Sequence, residues 1–218
     1  MPSQAEENYL KAVYYLELSN VQKVSTTLIA KQLKTKASSV TDMIKKLAEK
    51  KFVNYEKYQG VSLTSIGKKY AVRIVRKHRL WEFFLVNKLR YNWDEVHELA
   101  EQLEHIKSDS LINKLEDYLE FPTHDPHGAP IPDKDGHIEH HENVMLSSVR
   151  INSSCIVIGV KDSSKAFLKC LDTLAITPGE KIKVISRESF DNSMRIEYNN
   201  RSISISHQIS KNLFVKNI

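Results

Sequence analysis

Cysteine is almost missing from this chain of 218 residues: only Cys155 and Cys170 occur, both among apolar neighbours. Two thiols cannot build the multi-bridge framework of a small secreted scaffold, so they read as buried, reduced side chains of a cytoplasmic protein. Met1 is followed by a polar run rather than by a basic stretch and an apolar core, which speaks against a secretory signal. No uninterrupted apolar run approaches the ~20 residues of a membrane-spanning helix, so no membrane partner is expected. Internal repeats and low-complexity tracts are lacking as well. So are catalytic signatures: His97-Glu98 meets Glu101 where the second histidine of a His-Glu-x-x-His zinc motif would stand, and no nucleophile constellation accompanies it. A metalloenzyme, or any enzyme with an organic substrate, is therefore not the expected reading.

What is present is segregated charge. Residues 1–92 hold 18 Lys/Arg against 7 Asp/Glu, whereas residues 93–142 hold 3 against 14. A basic N-terminal segment suits a polyanion, because each neutralised phosphate releases condensed counterions. The acidic middle also carries seven of the nine histidines, from His97 to His141, with His78 just upstream. That combination suits cations. Solvated helix faces would account for the same composition, so the arrangement of the residues has to decide.

Helical periodicity covers residues 4–18, and Ser19-Asn20 ends it. A second short helix follows with Ser25 or Thr26 as N-cap and Leu28, Ile29 and Leu33 on its apolar face. After a break at Lys34–Ala37, a third turns Val40, Ile44 and Leu47 inward. Two short helices joined by so tight a turn read as a helix-turn-helix. Residues 52–63 alternate around Gln59-Gly60 and predict a β-hairpin wing. A long helix is expected from about Ser65 to Leu89, and further helices over 93–106 and 109–119. Pro122, Pro126, Gly128, Pro130, Pro132 and Gly136 then make residues 121–142 loop or linker. Beyond it, five β-branched runs and one helix, Ser164 to Leu174, predict a small β-barrel. His207 lies in a strand pattern, and the HIEHHE run at 137–142 reads as exposed linker.

On the third helix the outward residues are Ser38, Ser39, Thr41, Asp42 and Lys45, short polar groups and a cation that can approach base edges in a major groove. Lys36 and Lys46 are placed to reach phosphates, and the wing residues Tyr55, Lys57 and Tyr58 to lie along the backbone. An ordinary solvated hairpin or a protein-binding winged fold would use similar residues, but the basic charge weighs against both. Farther on, His78 and Glu82 stand at i,i+4, and His97, Glu101, Glu104 and His105 at i, i+4, i+7 and i+8. Two such stripes on consecutive helices suit Mn(II), Fe(II), Co(II) or Zn(II).

At these residues the chain resembles the diphtheria-toxin-repressor family of metal-dependent regulators, in its long form with a C-terminal FeoA-like domain and nearest its manganese-responsive members. The stretches that carry the likeness are EENYLKAVYYL, SSVTDMIKKL, LTSIGKK, RKHRLWEFFL, VHELAEQLEHIKSD and DPHGAPIP. The resemblance implies a mainly α fold with a β C-terminal domain: a winged helix-turn-helix at 1–63, a helical metal-binding and dimerisation domain with its Pro/Gly linker at 64–142, and an SH3-like (FeoA-like) barrel at 143–218. It implies a primary metal site of Glu101, Glu104, His105 and Asn8, an ancillary site drawing on His78, Glu82 and His97, and recruitment of Asp125, His127 and Asp162.

Three positions depart from the family pattern. Glu101 stands where iron-responsive members carry Cys, which leans toward manganese. Asn8 replaces the usual carboxylate or thioether. Lys11 replaces the Glu with which short manganese regulators build a close-spaced binuclear site. The expected function is repression of metal-homeostasis genes by a homodimer on a palindromic operator, activated by Mn(II), with Fe(II) as the alternative and Zn(II), Co(II) or Ni(II) able to substitute in vitro. The other reading is a winged-helix regulator responding to an organic ligand, its carboxylate and His stripes structural.

Overall fold

In the computed structural model, residues 2–19, 23–56, 59–138 and 144–218 are described. They group into two compact units: residues 1–78, 101–114 and 132–137 form the first, and residues 79–100, 115–131 and 138–218 the second.

The first unit begins with α1 (Gln4–Leu18), opened by a capping box in which Ser3 and Glu6 exchange side-chain-to-backbone hydrogen bonds. Leu10, Val13 and Tyr14 give it an apolar face. Ser25 caps α2 (Thr26–Gln32) by accepting from the Leu28 N–H at 3.2 Å. In α3 (Ala37–Glu49) Val40, Ile44 and Leu47 are fully buried, and the spacing of these three dictates which face looks outward. β1 (Val53–Glu56) and β2 (Gly60–Leu63) pair antiparallel, Val53 opposite Leu63, as the wing. Gly67, near the start of α4 (Ser65–Asn87), has no room for a Cβ because the Phe52 carbonyl oxygen occupies that space. This close approach joins helix and wing. α5 (Val96–Leu103) and α6 (Asp109–Tyr118) follow.

The second unit has its core between a sheet and α7 (Lys165–Leu174), which Ser164 caps and which buries Phe167, Leu168 and Leu171. Strands β3 (Val144–Met145), β4 (Ser154–Val160), β5 (Lys181–Arg187), β6 (Met194–Tyr198), β7 (Arg201–Ile205) and β8 (Leu213–Asn217) form one antiparallel sheet in the order β3-β8-β4-β5-β6-β7. Trp93 joins that core and donates its indole N–H to Asp172 Oδ1 at 2.8 Å.

The five C-terminal runs are all strands, and β3 is an addition too short for periodicity to reveal. Two expectations need correction. His207, itself exposed, opens the short helix α8 (His207–Ser210) rather than lying in a strand, because Ser206 caps that turn by accepting from the Ile209 N–H. Cys155 is buried, its thiol pushed up to about 11 by burial, but Cys170 is exposed on the outer face of α7. Residues 139–142 of the HIEHHE run lie outside the described residues, and among those that are described no helix is long and apolar enough to cross a membrane.

Candidate metal centres and nucleic-acid interface

The geometry of α3 follows from its buried stripe. With Val40, Ile44 and Leu47 inside, Ser38, Ser39, Asp42 and Lys45 are exposed, as is Lys36. Thr41 is half-buried and donates its hydroxyl to the Ala37 carbonyl at 3.0 Å, which leaves its oxygen to accept. Lys46 is exposed but within 3.2 Å of Glu6 Oε1, and Lys50 is within 2.7 Å of the same atom. These two cations tie α3 to α1 before they tie it to anything else. Burial alone would raise the Glu6 pKa; the two lysines and the Ser3 N–H outweigh it and hold the carboxyl at about 2. Tyr55 is half-buried on β1, while Lys57 and Tyr58 lie outside the described residues. The N-cap of α3 is Lys36, which makes no side-chain capping bond.

The first cluster of acid and imidazole groups is built from α1, α4, and α5 with the turn that closes it. Glu7 and His105 are nearly buried, and His105 Nδ1–H donates to Glu7 Oε2 at 2.6 Å. That bond fixes the tautomer and leaves a lone pair on His105 Nε2, which has no hydrogen-bond partner. Glu104 is wholly buried. Its Oε2 accepts from His78 Nδ1–H at 2.7 Å and from the Lys11 ammonium at 2.6 Å. Its Oε1 accepts from nothing and lies 3.7 Å from His105 Nε2. Lys11 also donates to Glu101 Oε1 at 2.6 Å. Burial acts to strip its charge, but Glu104 and Glu101 prevail and raise its pKa above the ordinary lysine value. Asn8, the residue after Glu7, has a buried Oδ1 that likewise lacks a partner.

Those three bare atoms test whether a metal fits. A buried polar atom without a hydrogen bond costs about 1–3 kcal/mol and is uncommon in folded proteins. Among the described residues the buried acceptors so left are Asn8 Oδ1, Glu104 Oε1 and His105 Nε2. An amide oxygen, a carboxylate oxygen and an imidazole nitrogen are a donor set suited to a divalent first-row cation. The residues fit the group.

The second cluster lies wholly in the other unit. Glu82, Asp125 and His127 are buried and offer ligand atoms within 4.8 Å of one another. His127 Nε2–H donates to the Trp93 carbonyl at 2.8 Å, and the two rings stack at 6.1 Å. Its Nδ1 then faces Glu82 Oε2 at 3.6 Å. Burial disfavours charge on His127, but Glu82 overrides that and raises its pKa. Asp125 Oδ1 accepts from the His127 and Ala129 N–H groups, each at 2.9 Å, and its Oδ2 lies 3.6 Å from Arg79 Nε. Burial and the neighbouring Glu82 carboxylate push the Asp125 carboxyl up, against the pull of Arg79 and His127. Two glycines seat this loop. Gly128, at φ +84°, and Gly159 on β4 pack backbone to backbone, and a Cβ on either would overlap the other's chain. The Val160 N–H then donates to the His127 carbonyl at 2.7 Å.

Of the expected metal residues, Glu101, Glu104, His105, Asn8 and His78 fall in the first unit, and Glu82, His97, Asp125, His127 and Asp162 in the second. His97 is exposed, its Nδ1 3.3 Å from Glu82 Oε1. Asp162 does not join Glu82, Asp125 and His127; its Oδ1 accepts from the Ser164 N–H at 2.9 Å, ahead of α7.

Three domain families match the chain in succession: the iron dependent repressor N-terminal DNA-binding domain over residues 1–61, the iron dependent repressor metal-binding and dimerisation domain over 64–133, and the FeoA domain over 144–217. An uncharacterized HTH-type transcriptional regulator of Methanocaldococcus jannaschii is 39% identical over 118 residues, 54% of this chain and 94% of that protein. The HTH-type transcriptional regulator MntR of Oceanobacillus iheyensis is 36% identical over 122 residues, 56% of this chain and 81% of its own length.

The chain belongs to the iron-dependent, or diphtheria-toxin, repressor family.

A solved manganese-dependent transcriptional repressor in complex with manganese superposes with a TM-score of 0.83 at 31% identity, covering 98% of this chain and 100% of that one. As a member of the diphtheria-toxin-repressor family, the protein is a metal-dependent, DNA-binding transcription repressor that dimerises, with a winged helix-turn-helix and a small β domain. What residue spacing did not reveal is the supporting shell: Glu7 on His105, Lys11 on Glu101 and Glu104, Arg79 on Asp125, and the Trp93 carbonyl on His127. The signal for the first pair was there, since Glu7 and Lys11 stand at i,i+4 on α1 beside Asn8.

Proposed function

We propose that this repressor is activated by Mn(II), with Fe(II) as its alternative and Zn(II), Co(II) or Ni(II) as substitutes in vitro, through a primary site of Asn8, Glu101, Glu104 and His105. The observation that carries this reading is the set of buried, unpartnered acceptors on Asn8, Glu104 and His105. A divalent cation held by these residues would supply the positive charge that their unpartnered donors lack. Glu7 holds the His105 ring in the tautomer that presents Nε2, the arrangement in which an outer carboxylate raises the basicity of a ligating imidazole. Glu101 offers a hard oxygen where a thiolate would favour softer metals, which supports manganese. Glu82, Asp125 and His127 form the core of an ancillary site, to which His97, beside Glu82, is a candidate contributor. No residue is assigned a catalytic role.

On the DNA side, Ser38, Ser39, Thr41, Asp42 and Lys45 face bases, and Lys36, Lys46 and Tyr55 face the backbone. The bare first-turn N–H groups of α3, with no capping side chain at Lys36, suit a phosphate. Glu6 pins α1 to α3 through Lys46 and Lys50, so ordering α1 orders the reading helix. Metal thereby favours the DNA-competent state, and by linkage DNA tightens metal. The division into residues 1–63, 64–142 and 143–218 assigns these roles to DNA reading, metal-dependent dimerisation and a barrel.

Asn8→Asp tests the primary site. A charged oxygen in place of the amide tightens Mn(II) binding if Asn8 is a ligand, as measured by competition with a chromophoric chelator. Unchanged affinity puts Asn8 outside the site. Lys45→Ala weakens DNA binding by about 1–3 kcal/mol and relaxes specificity at one position if it reads a base. An equal loss on all sequences makes it a phosphate contact.

A further inference from the structure

We propose that the Lys11 ammonium is a resident cation that shares the Glu104 carboxylate with the activating metal, so that the site accepts one divalent ion and not two. The proposal rests on the reading of Glu104 and His105 as ligands, and it gives a role to Lys11, which the resemblance marks only as a departure from the family pattern.

The case lies in how Glu104 divides its two oxygens. Oε2 is engaged by Lys11 Nζ at 2.6 Å and by His78 Nδ1 at 2.7 Å, whereas Oε1 has no partner and looks toward the bare His105 Nε2 at 3.7 Å. A carboxylate serving only a structural ion pair would have both oxygens satisfied, because a half-satisfied buried charge is costly. Here one oxygen is given to a cation that the chain supplies, and the other is left for a cation that it does not.

Lys11 is held in that place. Its side chain is 8% exposed, and Glu101 Oε1 receives a second bond from it at 2.6 Å. Glu7, Glu101 and Glu104 are three carboxylates, and Lys11 is the ammonium that bonds two of them.

The ammonium also limits what can enter. Glu101 Oε1, Glu104 Oε2 and His78 Nδ1 all surround Lys11 Nζ, the last at 3.4 Å. The two carboxylate oxygens converge on one point, a cation position already filled by a side chain, while the His78 Nδ1–H is given to Glu104. A second divalent ion there would need Lys11 to leave its two carboxylates.

The test uses the full-length protein and Mn(II) alone, counting ions per chain by elemental mass spectrometry after gel filtration in buffered metal and measuring Kd by chelator competition. Lys11→Arg keeps the charge and keeps the wild-type ion count. Lys11→Met tightens Mn(II) at the primary site by at least about tenfold, since it removes a like charge beside the ligands. Lys11→Glu, which puts a carboxylate where the ammonium stood, takes up one ion per chain more than wild type. Kd and count unchanged in both Met and Glu variants overturn the proposal.

Glu104→Ala separates the two levels. If it loses one ion while the Lys11 variants change nothing, the site stands and the shared-cation proposal falls. If it loses none, the underlying site assignment falls with it. A measurement on wild type guards against variants that fail to fold. The Lys11 ammonium nitrogen gives a slowly exchanging NMR signal that persists when diamagnetic Zn(II) is added, and loss of that signal on loading shows that metal displaces Lys11 and overturns the proposal.

Discussion

The two acid–imidazole clusters solve one problem, the burial of carboxylates, with different parts. In the first unit the side chains come from helices and the turn after α5, and an ammonium carried on α1 balances Glu104 and Glu101. In the second unit Glu82 meets a loop, Asp125 and His127, which only the contact of Gly128 with Gly159 can seat against β4; Arg79 is the balancing cation. The first cluster leaves acceptors bare, and the second leaves an imidazole nitrogen pressed toward a carboxylate. Both offer donors to a cation, but one depends on helix registry and the other on a backbone close approach.

That difference orders the expected effects. Removing a ligand of the first cluster, Glu104→Ala or His105→Ala, costs at least about 100-fold in Mn(II) affinity and abolishes metal-stimulated operator binding, with the dimer retained in sedimentation. Glu7→Gln leaves every ligand atom in place and loosens only the His105 ring, so calorimetry shows a loss of roughly 10–100-fold. An unchanged affinity would mean that His105 needs no outer carboxylate. Gly128→Ala acts on the other cluster: the new Cβ meets the β4 backbone in a left-handed conformation, and the second unit loses about 1–3 kcal/mol in denaturant unfolding. The same substitution spares Mn(II) binding at the first cluster, which is the sharper half of that comparison.

Glu6 gives the most local effect. Its folded pKa, about 2, lies below the ordinary 4.5 because of Lys50, Ser3 and Lys46. A depressed carboxylate contributes stability that is complete above its unfolded value and is lost as pH falls through the folded one. Unfolding of the wild type therefore becomes easier between pH 4.5 and 2, and Glu6→Gln flattens that dependence while lowering stability at neutral pH. Parallel pH profiles for the two proteins would show that Glu6 is not the group responsible.

How far the sequence foretold these features follows the same division. The 3.6 period of Val40, Ile44 and Leu47 and the i, i+4, i+7, i+8 run of His97, Glu101, Glu104 and His105 place side chains on one face whatever they pack against, so the reading helix and the acidic stripe were both legible. Five of the six strands of the sheet announced themselves as β-branched runs, and the two-residue β3 did not. Glu7 and Lys11 were visible as residues but not as partners of positions ninety and more residues away, because period says nothing about which faces meet. Cys170 had apolar neighbours in sequence and still faces outward, since its helix turns Phe167, Leu168 and Leu171 to the core instead.

The claim that holds the account together is that metal at the Asn8, Glu101, Glu104 and His105 site switches DNA binding on. Anisotropy measured on a duplex selected from a random library in Mn(II), at fixed salt, tests it when free Mn(II) is titrated from chelated to saturating. The wild type is expected to tighten by roughly 5–150-fold, the range of a coupling free energy of about 1–3 kcal/mol, while Glu104→Ala stays flat. Equal DNA affinity of the wild type in chelator and in saturating Mn(II) would contradict it.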